Sequence, residues 1–433
     1  MSRHGLLLVL GVPAAAALAA TVAVGGGGGA TRARIGLWLL AHAFYVAAAW
    51  VATRPRTPSP SGRILPLILI VGLVPRLLLL PTEPRLSEDL YRYLWDGRLG
   101  AAGVNPFPRA PDDPTLARFR DGFEGTLNHA EVPTIYPPAA QLLFAATARI
   151  EATPRAWKAT LFVLEAVLLL SLAFLLRARG LPPERLLLYY WNPLVVVESF
   201  GSGHLDLAVA AFLVLALALH ERKRDIGAGI AFGLAVLTKY LPLLLVPALV
   251  RARAWRALAV AALVGALLFV PFLGAGTALW GGLSAYARHW EFNGSLYPLL
   301  RALVPHGDGP RLALAGLLAA AAVVIGVRAR TLTGAALATW VAFFIASPTL
   351  YPWYLVPAVA LLPLHPDRGL LLFSGLVALS YLALAAFQET GTWLLPGWVP
   401  WVEYGGLAAA WIAAAATRAY ARRDAWTRES VPT

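Results

Sequence analysis

The chain has 433 residues, of which 59% are hydrophobic and only 14% are charged, and its formal net charge is +13. A soluble domain contains roughly 25% charged residues, so this composition excludes a soluble globular protein and predicts an integral membrane protein. The Arg and Lys residues lie in short loops between apolar runs, where they orient membrane helices, so the positive charge does not indicate nucleic-acid binding. The sequence has no Cys, which excludes disulfides, thiolate chemistry and Cys-ligated metals.

The apolar runs are long and continuous, as in LPLILIVGLV and LFVLEAVLLLSLAFLL, whereas a membrane barrel would alternate apolar and polar residues. We therefore expect an all-α polytopic membrane protein. The first run, residues 5–24, is either a cleaved signal peptide or a retained span, and the spans that follow at once favour retention. The second and third spans are predicted over residues 35–52 and 64–80.

The loop between the second and third spans orients the chain. It carries Arg54, Arg56 and Arg63 and no acid, which predicts that it is cytoplasmic. The third span then leads outward, so the polar segment 82–156 forms a first large external loop. Residues 82–157 hold 10 of the 23 carboxylates of the chain, and this external segment is therefore its main acidic region.

The remaining apolar runs extend the same alternation. Residues 226–250 begin and end next to basic loops, which predicts a re-entrant hairpin of two half-helices broken near Lys239 and Pro242. A second external loop is expected over 275–310, and a basic cytoplasmic tail over 418–433. The other predicted spans are 158–176, 186–200, 205–219, 257–274, 311–327, 333–347, 353–364, 369–387 and 402–417. We expect a single membrane domain over 1–433 with 12 to 14 membrane segments and both termini in the cytoplasm.

This sidedness sorts the unusual polar motifs onto the external face, while the inner loops carry little besides Arg. An external site cannot use cytosolic nucleotide-linked donors directly, so it needs an activated substrate that is delivered in the membrane. The motifs on the external face are SEDLYRYLWDG, NHAEVPTIYPP, FGSGHLD, TKYLP, NGSLYP and SPTLYPWY.

Two adjacent carboxylates, Glu88 and Asp89, begin the first motif. They fit a helix start with Ser87 as its N-cap. They also fit a catalytic role, in which Asp89, or Glu88 as the second choice, is a general base with a pKa tuned by partial burial. Residues spaced three to four apart share one helix face, so such residues could support the base. Alternatively, Arg92 and Asp96 could form a simple ion pair four residues apart. The residues on that face are Asp89, Arg92, Tyr93 and Asp96.

The second motif places His129, Glu131 and Tyr136 in a Pro-rich loop. His129 and Glu131 could bind a metal together with Asp89, but their spacing matches no strong metal-binding signature. Hydrogen bonding to a sugar, or ordering of the loop, is the favoured interpretation. Tyr136 is followed by Pro137 and Pro138, which predicts a helix start.

Two further motifs place ionisable side chains near the membrane, where such groups are costly and usually face a cavity or each other. Glu198, His204 and Asp206 end one span and begin the next, and a hydrogen bond between His204 and Asp206 would fix that helix end. Alternatively, His204 lies near a donor phosphate or an acceptor. Lys239, followed by Tyr240, either snorkels to the surface or neutralises a lipid phosphate at the break of the hairpin.

An aromatic motif begins a helix on the external side, with Tyr351, Trp353 and Tyr354. Tyr and Trp are common in the interfacial belts of membrane proteins. The sharper interpretation is that these rings stack on a sugar or on a polyprenyl chain.

At these residues the chain resembles the GT-C superfamily of polyprenyl-phosphate-sugar-dependent glycosyltransferases, above all bacterial family-87 and mannosyltransferase-like members. The resemblance covers roughly residues 87–357. It is carried by Glu88 and Asp89 in SEDLYRYLWDGRLGAAGVNPF, by GxNP followed by YPP, and by the Lys-x-x-Pro element 239–242. The acidic pair is Glu-Asp rather than Asp-x-Asp, and the large loop follows the third span, as if two spans had been added at the N-terminus.

The resemblance implies a GT-C-like bundle and a transfer reaction on the external face. A polyprenyl-phosphate sugar would donate a hexose or pentose, with mannose favoured, to a glycolipid or glycan hydroxyl that Asp89 deprotonates. Inversion at the anomeric carbon would follow from a single displacement. No cofactor is implied, and a divalent metal is possible but not demanded. The Ala, Leu, Arg and Gly bias is typical of a bacterial genome with high GC content, which predicts the plasma (inner) membrane.

Three other functions remain as alternatives. A transporter or flippase of lipid-linked sugars would also have many spans, but we would expect polar residues on both faces or an inverted repeat. A different external transferase with a lipid substrate would need another arrangement of acids or nucleophiles. A structural membrane partner without activity is the third alternative.

Overall fold

The computed structural model describes residues 2–54, 64–122 and 125–429, and the side chains as far as Thr417. Arg56 and Arg63 of the predicted cytoplasmic loop lie outside the described residues, as do the basic side chains of the tail beyond Thr417. The cytoplasmic location of both segments stays a prediction.

The described residues form twenty α-helices and no β-strand, and the only strand-like pairing among them is a parallel bridge between Phe292 and Thr349. The α-helices are α1 Arg3–Ala20, α2 Gly28–Thr53, α3 Ile64–Leu79, α4 Asp89–Ala101, α5 Pro138–Ile150, α6 Pro154–Ala178, α7 Leu187–Tyr190, α8 Pro193–Val196, α9 Asp206–Glu221, α10 Asp225–Thr238, α11 Val246–Arg251, α12 Trp255–Phe269, α13 Gly281–His289, α14 Leu296–Leu303, α15 Gly309–Arg328, α16 Leu332–Ala346, α17 Val356–Val359, α18 Arg368–Leu376, α19 Leu382–Thr390 and α20 Trp398–Glu429. Short 3₁₀ segments are Pro114–Phe119, Pro183–Leu186, Leu241–Leu245, Val270–Trp280, Pro352–Leu355 and Val377–Tyr381, and Val197–Gly201 is a π-helical turn.

Six helical segments among the described residues are long and apolar enough to cross a membrane. This confirms the predicted all-α polytopic membrane protein, since a helix satisfies its own backbone hydrogen bonds in lipid. These segments are Arg3–Ala20, Gly28–Thr53, Pro154–Ala178, Trp255–His289, Gly309–Arg328 and Arg368–Thr390.

Other apolar helices are short or broken. Pro193–Gly201 and Asp206–Glu221 together have the length of one span, but they meet at an angle of 118°. The break predicted near Lys239 and Pro242 is present, because α10 ends at Thr238 and a 3₁₀ segment begins at Leu241. The count of 12 to 14 membrane segments therefore stays a prediction.

Several basic loops meet at one end of the bundle. The Arg179 guanidinium donates to the Glu221 carboxylate at 2.8 Å and, through Nη1, to the Thr333 hydroxyl at 2.8 Å. His365 Nε2 lies 2.7 Å from the same hydroxyl. These contacts bring together the end of α6, the end of α9, the start of α16 and the segment after α17. The polar motifs of the sequence collect at the opposite ends of these helices.

Helix α4 lies in the first large loop and is held against α5 by close backbone approach. A Cβ atom at Gly97 would lie only 2.6 Å from the Phe144 carbonyl oxygen, so this position needs glycine. On the far side, α1 packs on α2 and α3, while α9 packs on α6 and α10. This packing places the N-terminus of α4 next to the turn between the π-helical segment and α9.

Candidate active site

The turn from Ser202 to Leu205 forms the centre of the candidate site. It follows a π-helical turn, a local irregularity that is frequent at functional sites. Gly203 has a left-handed φ of 78°, and a Cβ there would meet Leu90 at 2.4 Å, so glycine is required. The Trp157 indole N–H donates to the Gly203 carbonyl at 2.7 Å. Together these contacts fix the backbone that presents His204.

Asp89 is the first residue of α4 and faces this turn. Its backbone N–H donates to the Ser87 hydroxyl at 3.2 Å, while Glu88 rather than the predicted Ser87 occupies the N-cap position of α4. The Asp89 carboxylate is therefore left for other contacts, and 25% of its side chain is exposed. Burial raises the pKa of Asp89, even though a hydrogen bond from Asn128 and the charge of Lys239 act to lower it.

The His204 imidazole lies between two carboxylates. Its Nδ1 is 3.8 Å from Asp89 Oδ2, and its Nε2 is 3.3 Å from Glu198 Oε2. Neither contact has the geometry of a hydrogen bond, and both ring nitrogens lack a partner among the described residues. Glu198 is instead bound by the Tyr381 hydroxyl, which donates to its two oxygens at 2.9 and 3.0 Å. His204 is thus buried and held in place by packing, with neither ring nitrogen hydrogen-bonded within the described residues.

Lys239 and Asp206 form the second charged contact of the site. Lys239 Nζ donates to the two Asp206 oxygens at 2.8 and 2.9 Å and lies 4.0 Å from the centre of the Tyr354 ring. The proposed hydrogen bond between His204 and Asp206 is therefore wrong. The helix break at Lys239 places its ammonium group next to Asp206. The helix break before α9 places His204 between Glu198 and Asp89.

A stack of aromatic rings forms one wall. The imidazole of His204 lies 3.7 Å from the Trp353 ring, nearly parallel to it, and Trp353 stacks on Tyr351 at 4.5 Å. Tyr351 in turn stacks on Phe292 at 4.8 Å, while Tyr354 is hydrogen-bonded to Tyr286. The predicted aromatic motif therefore belongs to the same cluster as His204 and Lys239.

A second aromatic group supports Asp89 from beneath α4. Tyr93 stacks on Phe144 at 4.9 Å and meets the edges of Tyr136 and Trp157 at 5.1 and 5.6 Å. The charge of Asp89 acts on the phenols of both Tyr93 and Tyr136, and burial raises the pKa of both phenols well above the ordinary value. Both predicted tyrosines are thus next to the candidate base, where they remain neutral.

Arg92 and Asp96 are not brought into the site. Arg92 Nε contacts Asp96 Oδ1 at 3.2 Å, and its Nη2 donates to the Val132 carbonyl at 2.9 Å. Asp96 also accepts hydrogen bonds from Thr134 at 2.5 Å and from Gln141 at 2.9 Å. These contacts order the large loop, so the prediction that Arg92 and Asp96 bind substrate is not supported by their position.

His129 and Glu131 lie at the rim of the large loop. Their side chains are exposed, with 3.5 Å between His129 Nδ1 and Glu131 Oε1, and His129 packs edge-on against Trp290 at 4.7 Å. In the part of the chain that the structure describes, no three His, Asp or Glu side chains are grouped as metal ligands. The interpretation of these residues as a metal site with Asp89 gains no support.

The two remaining predicted residues lie outside the cluster of contacts. Glu88 caps α4 and is exposed, without a side-chain cap hydrogen bond. Tyr240 is half-buried, and its ring lies 6.1 Å from that of Trp280 rather than against Lys239.

Sequence reasoning missed the partners of the charged groups. Tyr381 lies in an apolar run and Tyr286 in the segment predicted as the second external loop, and neither has a local pattern that marks it. Glu198 did carry a signal, because a carboxylate within an apolar run is costly unless it is paired.

Comparison with known families identifies the chain. A family model described as glycosyltransferase family 87 matches residues 134–352, just over half of the chain. The chain belongs to glycosyltransferase family 87. No curated protein matches it. The family-87 segment contains His204, Asp206 and Lys239, whereas Asp89 precedes it and Trp353 and Tyr354 follow it.

As a family-87 glycosyltransferase, the protein must bind a sugar donor and an acceptor in its membrane environment. The candidate active site offers a partly exposed carboxylate, an imidazole with unused nitrogens and a wall of aromatic rings. The carboxylate can accept a proton from a hydroxyl, as glycosyl transfer requires, while the aromatic rings stack on one another and on His204.

Proposed function

We propose that this protein transfers a hexose or a pentose, with mannose the favoured sugar, from a polyprenyl-phosphate donor to an acceptor hydroxyl. The acceptor is a glycolipid or a glycan, and Asp89 is the general base. The reaction takes place at the external face of a bacterial plasma membrane. The family supports glycosyl transfer, and the polar motifs collected around Asp89 support this end of the bundle as the reactive one.

Three neighbouring carboxylates differ in their binding partners and in their exposure, and this difference supports the proposal. Asp206 is bound by Lys239, and Glu198 is bound by Tyr381. Asp89 has no cation or phenol bound to it among the described residues and is the most exposed of the three. Its raised pKa makes it a stronger base than an ordinary carboxylate. Asp89 is therefore the group best placed to accept a proton.

The proposed step balances without a further reactant. The acceptor oxygen attacks the anomeric carbon while its proton moves to an Asp89 carboxylate oxygen. The bond between the anomeric carbon and the phosphate oxygen breaks, and polyprenyl phosphate leaves with the electron pair. A single displacement of this kind inverts the anomeric configuration. The leaving group carries only one phosphate, so the step does not demand a metal.

The other residues position the reactants. His204 is held by Trp353 with its Nδ1 3.8 Å from Asp89 Oδ2, where it bounds the base on its buried side. Trp353 is buried and stacks on both His204 and Tyr351, so its role in this arrangement is to hold the imidazole in place. Lys239 donates to both carboxylate oxygens of Asp206, so its charge is already paired and its proposed role in binding the donor phosphate is weaker than the sequence suggests.

Asp89→Asn tests the base, because the amide keeps the shape of the side chain and cannot accept the proton. We expect transfer from polyprenyl-phosphate mannose to fall by about a hundred- to ten-thousandfold in membranes containing the variant. Glu88→Gln is the matched control, since it alters the adjacent exposed carboxylate, and we expect it to change the rate by less than about threefold if only the base matters. Equal activity of Asp89→Asn and the parent would refute the assignment.

The donor is tested in the same membranes by supplying polyprenyl-phosphate mannose, polyprenyl-phosphate arabinose and a nucleotide-linked mannose. We expect transfer from a polyprenyl-phosphate sugar only. Transfer from the nucleotide sugar that survives removal of endogenous polyprenyl phosphate would contradict the proposed donor class while leaving the Asp89 test valid.

A further inference from the structure

A cavity of about 200 Å³ lies on the side of the His204 turn that faces the N-terminal helices. Its walls come from the loop between α1 and α2, from α2, from the segment after α3 and from the π-helical turn. A single water occupies about 30 Å³ of liquid, so the cavity has room for a phosphate-sized group. Its polar lining includes Arg34, Thr82, Glu83, Arg85 and Ser202, together with the indole of Trp38.

Helices α1 and α2 precede the family-87 segment by a wide margin, since that segment starts at residue 134. They correspond to the two spans that the sequence suggests as an N-terminal addition. Leu86 and Ser202 also line the cavity, and they lie close in sequence to Asp89 and His204. The added helices therefore build a compartment whose lining includes residues only two or three positions from Asp89 and His204 in the sequence.

The charged side chains that line this cavity are Arg34, Arg85 and Glu83, so its net charge is positive. Only one of the two guanidinium groups is hydrogen-bonded among the described residues. Arg34 is buried, and its Nη2 donates to the carbonyls of Val24 and Gly25, which fixes the guanidinium in place. Arg85 has no hydrogen bond or ion pair within the described residues, and its charge repels that of Arg34. An anion between the two guanidinium groups would remove this repulsion.

A buried hydrogen-bond donor points to the same ligand chemistry. Trp38 is 1% exposed, and its Nε1–H has no partner among the described residues. An indole N–H can only donate, and a buried donor without a partner is costly. Nearby Glu83 is engaged by the Tyr91 hydroxyl at 3.0 Å. The cavity thus combines two cationic groups with a donor that lacks an acceptor.

Lys239, the other cation beside the turn, offers no comparable free charge because Asp206 binds it with both carboxylate oxygens. We propose that the cavity binds the phosphate group of a membrane lipid between Arg34 and Arg85, with the Trp38 indole as an additional donor. Arg suits this task because its planar guanidinium binds phosphate oxygens in pairs.

The same phosphate chemistry has two lipid sources, an isoprenoid phosphate or a glycerolipid phosphate. In the first case the cavity holds the carrier of the sugar donor, and in the second it holds the headgroup of a lipid acceptor. The identification of the lipid as a substrate rests on the proposed transfer reaction, whereas binding of the phosphate group does not.

Calorimetric titration of the purified full-length protein in detergent micelles tests the site with four probes. These are farnesyl phosphate, the uncharged alcohol farnesol, lysophosphatidic acid and inorganic phosphate. We expect Arg85→Gln to weaken binding of the preferred phospholipid probe by about tenfold, the effect of losing a charge-assisted hydrogen bond, and to leave farnesol binding unchanged. Arg155→Gln is the matched control, because Arg155 is exposed at the same helix ends and lies outside the cavity.

Each outcome decides the question. A tenfold loss for farnesyl phosphate supports the carrier, and a tenfold loss for lysophosphatidic acid supports the lipid acceptor. Equal binding by Arg85→Gln and Arg155→Gln, or binding of inorganic phosphate alone, overturns the proposal. Trp38→Phe, which removes the N–H and keeps an aromatic ring, should weaken the same probe, and no change would remove the indole from the site. These titrations do not measure transfer, so an unimpaired Asp89→Asn enzyme would refute the proposed base separately.

Discussion

Two groups of buried charge in this protein differ in how completely their hydrogen-bonding capacity is satisfied. The first is the pair of Arg76 on α3 and Glu165 on α6. Arg76 donates to both Glu165 oxygens at 2.7 and 2.8 Å, and its Nη1 donates to the carbonyls of Gly72 and Tyr190 at 2.8 Å each. Tyr189 donates to Glu165 at 3.0 Å. This group has no capacity left for a substrate.

The second group surrounds the His204 turn. Lys239 and Asp206 satisfy each other, and Tyr381 satisfies Glu198. His204 is buried with both ring nitrogens unpaired among the described residues, and Asp89 is partly exposed at 3.8 Å from it. Trp353 packs on His204 without satisfying its ring nitrogens, and Asp89 accepts a hydrogen bond from Asn128 but has no cation bound to it among the described residues.

The comparison distinguishes charge that stabilises the fold from charge that is available for chemistry. A fully satisfied buried network rigidifies a structure, whereas unused hydrogen-bonding capacity in a polar cleft is typical of a functional site. We therefore expect changes at Arg76 and Glu165 to affect stability and changes at Asp89 to affect turnover.

The largest effect on stability is expected from breaking the Arg76–Glu165 pair. Glu165→Ala leaves a buried guanidinium without its counter-charge, which costs about 3–5 kcal/mol in comparable buried pairs. Equilibrium unfolding in mixed micelles should show this loss, while transfer per folded molecule stays close to that of the parent.

The double variant Arg76→Met with Glu165→Met is the control for this prediction. It removes both charges and keeps much of the volume, so it should unfold less easily than Glu165→Ala, since replacing a buried pair by apolar groups is often neutral. A double variant that is less stable than the single one would show that the pair does more than neutralise its own members.

The fold class could be predicted because it depends on properties that are local in sequence. Long apolar runs predict membrane helices, and the position of Lys239 and Pro242 in an apolar run of limited length predicts the break that the structure contains. Ser87 before Asp89 likewise predicts a helix start. Helix lengths were less predictable, because prolines such as Pro193 divide apolar runs into short pieces.

The candidate site was predicted only in part, because its contacts join distant parts of the chain. The motifs identified Asp89, His204, Lys239 and Trp353 as polar or aromatic anomalies, but no local pattern says which of them touch. Lys239 binds Asp206, which is 33 residues away, and Tyr381 binds Glu198, which is 183 residues away. Such pairings follow from the packing of helices, which a single sequence does not encode locally.

A smaller effect is expected from the cost of keeping Asp89 ionised. Its folded pKa is raised, so folding favours the protonated form, and its contribution to stability is present below the unfolded pKa of about 3.9 and lost as pH rises through the folded pKa. Asp89→Asn should therefore be slightly more stable than the parent at neutral pH and lose that advantage in acid. Unfolding titrations at several pH values check this.

The same shift fixes the direction of the pH dependence of turnover. Asp89 must be ionised to accept a proton, so the transfer rate should fall as pH decreases through its raised pKa, at a pH above that of an ordinary Asp. The Glu88→Gln enzyme should show the same acid limb as the parent. An acid limb that moves in Glu88→Gln would indicate that Glu88, rather than Asp89, is the titrating base.

The smallest effect is expected at an ion pair of the same chemistry in a different environment. Arg32 on α2 binds Glu389 on α19 with two guanidinium nitrogens, as Arg76 binds Glu165, but the two side chains are 52% and 36% exposed. Water and salt screen such a pair, so Arg32→Ala should cost less than about 1 kcal/mol and lose most of that cost at high ionic strength. Unfolding titrations at low and high salt check this against Glu165→Ala, whose effect should barely respond to salt because its partner is buried. A salt-independent loss at Arg32 as large as that at Glu165 would show that bidentate geometry, and not burial, determines the strength of both pairs.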